Sequence, residues 1–139
     1  MKGKHIIPCI GYNDAIKAID WLCEAFGFEK HQVFTNENGI VEHAELKFGD
    51  SMIMTGSQHH DSPYTKLTKH PDDVGGYETQ SPYIVIDDID TFYQRAKSAG
   101  AKIAIELKEE DYGGKNFSCY DPEGHLWNFG SYDPWKSGH

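Results

Sequence analysis

Apolar residues recur at helical spacing in two places along the chain. Ile16, Ile19, Leu22, Cys23 and Phe26 form one stripe, and Ile89, Phe92, Tyr93, Ala96 and Ala99 form a second. Asp14 and Asp88 stand where N-caps belong, and Gly27 and Gly100 stand where the two helices stop. Elsewhere the pattern has the period of two that marks strands. His5–Tyr12 predicts a first strand, with Pro8 pointing to an edge or irregular position. Phe28–Phe34 predicts the next, and Glu37-Asn38-Gly39 suits a hairpin. Over Ile40–Phe48 the alternation puts Ile40, Ala44, Leu46 and Phe48 on one face, and Val41, His43, Glu45 and Lys47 on the other. Gly49-Asp50 turns the chain and Ser51–Thr55 returns it.

The same order then repeats. Pro82–Asp87 predicts a strand before the second helix, and Ile103–Leu107 a strand after it. Asn116–Tyr120 and His125–Gly130 flank the turn Asp121-Pro122-Glu123-Gly124, whose Pro and Gly suit a tight reversal. The two copies lie about 70 residues apart, longer than the 20–50 residues of solenoid units, so they read as one supersecondary module written twice. The first module covers about 5–56 and the second about 81–132, within a single domain spanning 1–139. The connecting segment 57–80 is rich in His, Ser, Thr, Asp, Pro and Gly and reads as a linker; a lid is the second reading of a loop this long. Ser131–His139 reads as a tail.

Composition narrows the function. The chain has 139 residues, 38% hydrophobic and 13% aromatic, enough for a core. A module of about 60 residues buries only about 60% of its unfolded surface, so the halves lean on each other or on a second chain. The net charge of −9 argues against nucleic acid and suits solubility or a cationic or neutral ligand. No apolar run reaches membrane-span length and no signal peptide is evident. Cys9, Cys23 and Cys119 are odd in number and form no zinc pattern, which predicts reduced thiols and a cytoplasmic location. Cys9 and Cys119 fall on predicted strands, where buried, inert thiols are expected.

The β-α-β-β-β order, the segment Tyr83-Ile84-Val85-Ile86-Asp87-Asp88-Ile89-Asp90 with Ala99-Gly100-Ala101, and the hairpin Asp121-Pro122-Glu123-Gly124-His125-Leu126-Trp127 together resemble the vicinal oxygen chelate superfamily. That superfamily includes glyoxalase I, extradiol dioxygenases and bleomycin-resistance proteins. The resemblance implies an α+β fold, in which two βαβββ modules form a cupped mixed sheet. It implies a pocket at the seam, often completed across a homodimer. It also implies metal ligands on the first and last strand of each module. Laid on that pattern, this sequence presents Ile7, Met54, Pro82 and Asn128. Ile and Pro offer no donor, Met is soft, and Asn is neutral, so no metal or other cofactor is expected. A register displaced by two would instead draw a metal site from His5, His43 and Glu45. His59, His60 and His70 sit in the linker, with no regular element to fix them.

No Ser-His-Asp elbow, phosphate loop or nucleotide fingerprint appears, so no catalytic residue is assigned. The expected ligand-binding residues are Ile7, His43, Glu45, Met52, Met54 and Asn128 in the cup, with Tyr112 at its rim. Trp127, opposite Asn128 by alternation, reads as core. The resemblance is nearest to the bleomycin-resistance branch. It implies a metal-free homodimer that binds a small organic molecule, as in antibiotic sequestration and resistance, with no nucleic-acid or membrane partner. The second reading is a metal-dependent lyase, isomerase or dioxygenase of the glyoxalase type.

Overall fold

The computed structural model describes residues 1–136. Its elements run β1 (Cys9–Tyr12), α1 (Ala15–Phe26), β2 (Glu29–Thr35), β3 (Val41–Phe48), β4 (Ser51–Ser57), β5 (Tyr83–Val85), α2 (Ile89–Ser98), β6 (Lys102–Glu109), β7 (Lys115–Tyr120) and β8 (Leu126–Gly130), with a short 3-10 helix at Pro71–Val74. Two four-stranded mixed sheets result, ordered β1-β4-β3-β2 and β5-β8-β7-β6. In each, three antiparallel strands form a meander and the module's first strand pairs parallel to its last. The duplicated βαβββ order is therefore present as expected.

Local chemistry sets the boundaries. The Asp14 carboxylate accepts from Lys17 N–H at 3.2 Å, and Gly27 takes the left-handed conformation that ends α1. Asp88 accepts from Thr91 N–H at 3.2 Å in the same way. Prolines open both parallel strands. The Pro8 carbonyl accepts from Met54 N–H at 2.9 Å and the Pro82 carbonyl from Asn128 N–H at 3.1 Å. Neither proline has an N–H to give back, so the ladder begins one residue later. β1 thus starts at Cys9, and His5 and Ile7 precede it.

Three further expectations are corrected. Ile16 is 49% exposed; the buried stripe of α1 is Ala15, Ala18, Ile19, Leu22, Ala25 and Phe26. Val41 is buried, because Thr35 pairs with Val41 while Phe34 pairs with His43, leaving Glu42 as an extra residue in β3. That bulge shifts the alternation and returns Val41 to the face of Ala44 and Leu46. Cys9 is exposed; only Cys119 is the buried strand thiol, and burial, then the Asp121 charge, push it up to about 12.

The modules share one core. Phe26, at the end of α1, sits 4.7 Å from the Phe129 ring and 5.4 Å from that of Trp127, which is buried as expected. The helices cap each other. Trp21 Nε1–H donates to the Ala99 carbonyl at the end of α2 (2.7 Å), while Arg95 on α2 donates to Glu24 and Cys23 carbonyls at the end of α1. These bonds reach carbonyls in the last turns of the helices; the Cys23 carbonyl also accepts from the Gly27 N–H at 3.1 Å. The segment read as a tail is partly tied down: Ser131 N–H donates to the Lys115 carbonyl at 3.0 Å. Its last three residues lie outside the described residues. No helix is long and apolar enough to cross a membrane among the described residues.

Candidate functional site

The first sheet packs α1 on the side of Ala44, Leu46 and Ile53, which leaves His43, Glu45, Met52 and Met54 on the opposite face. A pocket of about 340 Å³ lies on that face. Its floor includes Cys9, Gly11, His43, Met54 and Gly56, and its roof includes Gln58, Tyr64 and Thr68 from the segment between the modules. The β1/β4 register places Cys9 beside Met54 and Gly11 beside Gly56. Gly56 fits the Glu42 bulge closely: a Cβ there would lie 3.0 Å from the Glu42 carbonyl oxygen. The Tyr64 hydroxyl meets the Cys9 thiol, and burial, then that thiol, raise the phenol above its ordinary pKa. His43 pairs with Glu45 at 2.8 Å and stacks on Phe34, and His31 approaches the other Glu45 oxygen at 3.9 Å. The pocket therefore combines soft apolar groups with hydrogen-bonding groups and the His43 imidazole, held from beside the pocket by Glu45, a lining suited to an organic molecule.

The residues expected from sequence fall in three places. His43 and Met54 line the pocket, and Glu45 and Met52 share its sheet face. Ile7 is half-buried just before β1. Asn128 and Tyr112 belong to the second module, inside a hydrogen-bonded wall. There Ser118 donates to Asn128 Oδ1 at 2.7 Å, and the Asn128 amide donates to Ser81 (2.8 Å) and the Pro82 carbonyl (3.0 Å). Tyr112 meets Asn116, which also accepts from the Tyr83 hydroxyl. The roof residues Gln58, Tyr64 and Thr68, and the floor residue Cys9, were not singled out as site residues by sequence. The pairing of Cys9 with Met54 was recoverable from the equivalence of Pro8 and Pro82.

A metal does not fit the positions at which the resemblance expects ligands. The Asn128 amide hydrogens go to Ser81 and Pro82, and its Oδ1, a neutral donor to any metal, already accepts from Ser118. His5 lies exposed before β1 while His43 and Glu45 pair with each other on the sheet. Among the described residues no three His, Cys, Asp or Glu side chains converge as a metal-holding group.

The segment between the modules is not a loose linker. His70 is 1% exposed and caps the 3-10 helix, correcting the expectation that nothing fixes it. Asp72 N–H donates to its Nδ1 at 3.1 Å, which leaves the proton on Nε2 facing Glu123 at 2.9 Å. His125, also buried, lies between the Glu78 carboxylate (3.0 Å) and the Gly11 carbonyl (2.7 Å). Burial alone would lower its pKa. The bonds to Glu78 and Gly11 and the charges of Asp121 and Glu78 outweigh that and raise it above the ordinary histidine value. Beneath them Asp121 accepts from Tyr12, Trp127 and two backbone N–H groups. Burial, then Asp121, hold the Tyr12 phenol well above its usual pKa.

Two other depressions lie beside the helix N-termini, of about 420 Å³ at α1 and about 490 Å³ at α2. In the first, the Asp121 and Glu123 carboxylates are committed to the bonds above, and in the second Asp90 is paired with Lys115.

Comparison with known proteins extends these observations. The model of the Glyoxalase/Bleomycin resistance protein/Dioxygenase superfamily matches residues 4–129. An uncharacterized protein of Mycobacterium tuberculosis (strain H37Rv) is 28% identical over 125 residues, covering 88% of this chain and 71% of that protein. The crystal structure of TioX from Micromonospora sp. ML1 is 30% identical, covers 92% of this chain and 98% of its own, and superposes with a TM-score of 0.73. The fosfomycin resistance protein FosX from Mesorhizobium loti shares the fold at 12% identity, with coverage of 100% and 99% and a TM-score of 0.67.

Proposed function

We propose that this chain, which belongs to the glyoxalase/bleomycin resistance protein/dioxygenase superfamily, is a binding protein that holds a small organic molecule in its first-module pocket without a metal ion. The observation that carries this reading is the pocket itself. A space of about 340 Å³ on the sheet face opposite α1 is lined by Met54, Cys9, His43 and Tyr64; the absence of imidazole and carboxylate at Ile7, Met54, Pro82 and Asn128, the positions to which the resemblance assigns ligands, supports the metal-free part of the reading. Volumes of 300–1,000 Å³ accommodate drug-sized molecules. Met54 adapts to irregular apolar shapes, Tyr64 gives a flat face and a hydroxyl, and the His43–Glu45 pair offers a polar anchor. The ligand class is an antibiotic, which the protein sequesters; this part rests on the bleomycin-resistance proteins within the superfamily.

The reading includes a homodimer in the cytoplasm. Phe34 and Ile105, each 52% exposed, lie on the sheet-edge strands β2 and β6, where a second copy would cover them. Three free cysteines suit a reducing compartment.

Calorimetric titration of the untagged full chain with a panel of glycopeptide and aromatic antibiotics tests the proposal. Saturable binding at one site per chain, weakened by Met54→Trp, which fills the pocket, supports it. Flat titrations across the panel remove the sequestration role. Sedimentation at micromolar concentration tests the dimer.

A further inference from the structure

Glycine faces glycine on the pocket floor: Gly11 of β1 pairs with Gly56 of β4, two residues along from the Cys9–Met54 pair. Gly56 is bare because a Cβ would press on the Glu42 carbonyl. Gly11 is bare for a different reason. A Cβ there would collide with the side-chain amide of Gln58, whose Cδ would lie 2.7 Å away, so that amide occupies the space a side chain would fill. The backbone at Gln58 is fixed. Its N–H donates to the Tyr12 carbonyl at 2.8 Å, and the next N–H, of His59, donates to the Ser57 hydroxyl at 3.0 Å. Several polar side chains around the pocket are already engaged: His43 with Glu45, Tyr64 with Cys9, and Ser62 with Thr65. The Gln58 amide, half-buried against the floor, has no hydrogen-bond partner among the described residues.

We propose that Gln58 sets the ligand class of this pocket: its amide pairs edge to edge with a primary carboxamide or a lactam carried by the molecule held over Gly11 and Gly56. The inference rests on the binding role proposed above and names the chemistry of its ligand. A primary amide presents a carbonyl acceptor and an N–H donor side by side. A group that satisfies both at once must carry a donor and an acceptor on one edge. A primary carboxamide or a lactam does. An ester, a ketone or an ether only accepts. An ionised carboxylate also only accepts, and it meets a chain of net charge −9. Turning the Gln58 amide over exchanges its oxygen and nitrogen but keeps the side-by-side pattern, so the match holds in both orientations. The bare floor contributes room. With no side chain at Gly11 or Gly56, a flat group comes close to the backbone of β1 and β4. Discrimination follows from the cost of leaving one of the paired groups without a partner when the ligand lacks the donor.

NMR titration of the nitrogen-labelled full chain with benzamide and with acetophenone, in which a methyl group replaces the amide nitrogen, tests the assignment. The Gln58 side-chain NH2 signals, identified by their loss in Gln58→Leu, should shift with benzamide, together with the backbone signals of Gly11 and Gly56. The ratio of benzamide to acetophenone affinity should be about 2- to 10-fold higher in wild type than in Gln58→Leu, the worth of one hydrogen bond. Gly11→Ala makes the same test without altering Gln58. Gly11 is not among the glycines with positive φ, and the group displaced is the end of a flexible side chain, so the fold is kept while the amide moves. This variant should lower the ratio as Gln58→Leu does. An equal ratio in wild type and Gln58→Leu, or no benzamide shift at Gln58, Gly11 and Gly56 up to the solubility limit, overturns the proposal. Should Gln58→Leu lose the dispersed spectrum of the folded chain, the wild-type shifts and Gly11→Ala decide. Failure here leaves the binding role standing, because calorimetry with the antibiotic panel reads that role separately.

Discussion

The Tyr12 hydroxyl donates to the Asp121 carboxylate at 2.6 Å, joining the end of the first strand to the turn before the last one. Both side chains are buried. Asp121 also receives Trp127 Nε1–H at 3.0 Å and the backbone N–H groups of Glu123 and His125. A carboxylate in the core is tolerable only with such a complement of donors. Tyr12→Phe removes one donor and keeps the shape. It should lower unfolding free energy by about 1–3 kcal/mol, measured by urea denaturation. An unchanged midpoint would mean the bond adds nothing over hydration.

Glu123 performs a related task on the surface side of the same turn. Its two carboxylate oxygens accept from Asn13 N–H at 2.6 Å and Asp14 N–H at 2.8 Å, so a residue of the second module binds backbone donors at the start of α1. Glu123→Gln removes the charge and turns an amide hydrogen toward one of those donors. The loss should be about 0.5–2 kcal/mol, the range of a helix cap, with faster amide exchange in the first turn of α1.

Phe26 is the main apolar bridge between modules. Its ring contacts those of Trp21, Phe92, Trp127 and Phe129. Phe26→Ala should cost about 3–5 kcal/mol by chemical denaturation. Because the cavity opens at the seam, both modules should unfold together in one transition; two separated transitions would show that each half carries its own stability.

His125 makes stability depend on pH. Its pKa is raised in the folded protein, burial being outweighed by Glu78, Gly11 and Asp121. Its contribution is therefore fully present below the unfolded value of 6.5 and is lost as pH rises through the folded value. Thermal midpoints of the wild type should decline relative to His125→Gln as pH rises from 6.5 through the folded value. Parallel curves would show that the imidazolium does not favour the folded state.

The caps, turns and repeat were legible in the sequence because each is a local device. Asp14, Asp88 and Gly27 act on neighbours within four residues, and Asp121-Pro122-Glu123-Gly124 reverses the chain by itself. Val41 was misplaced because the Glu42 bulge is a property of two paired strands, invisible to alternation along one. Ile16 was misplaced because the small residues Ala15, Ala18 and Ala25 share the buried side of α1, which an apolar-size pattern underweights. The role of the 57–80 segment was hidden for a different reason: His70 and Glu78 find their partners 53 and 47 residues away, at Glu123 and His125. The expected site was legible as a sheet face, since His43, Glu45, Met52 and Met54 share it. Its roof and the separate wall around Asn128 depend on tertiary contacts.

Calorimetry of the purified, untagged chain in excess chelator, using the antibiotic from the panel above that binds it, bears most directly on the central claim. Wild type should bind one molecule per chain with the same affinity before and after chelator treatment, and Met54→Trp should weaken that binding. Binding that disappears with the chelator and returns with one equivalent of a divalent ion, and that His43→Ala also abolishes, would contradict it.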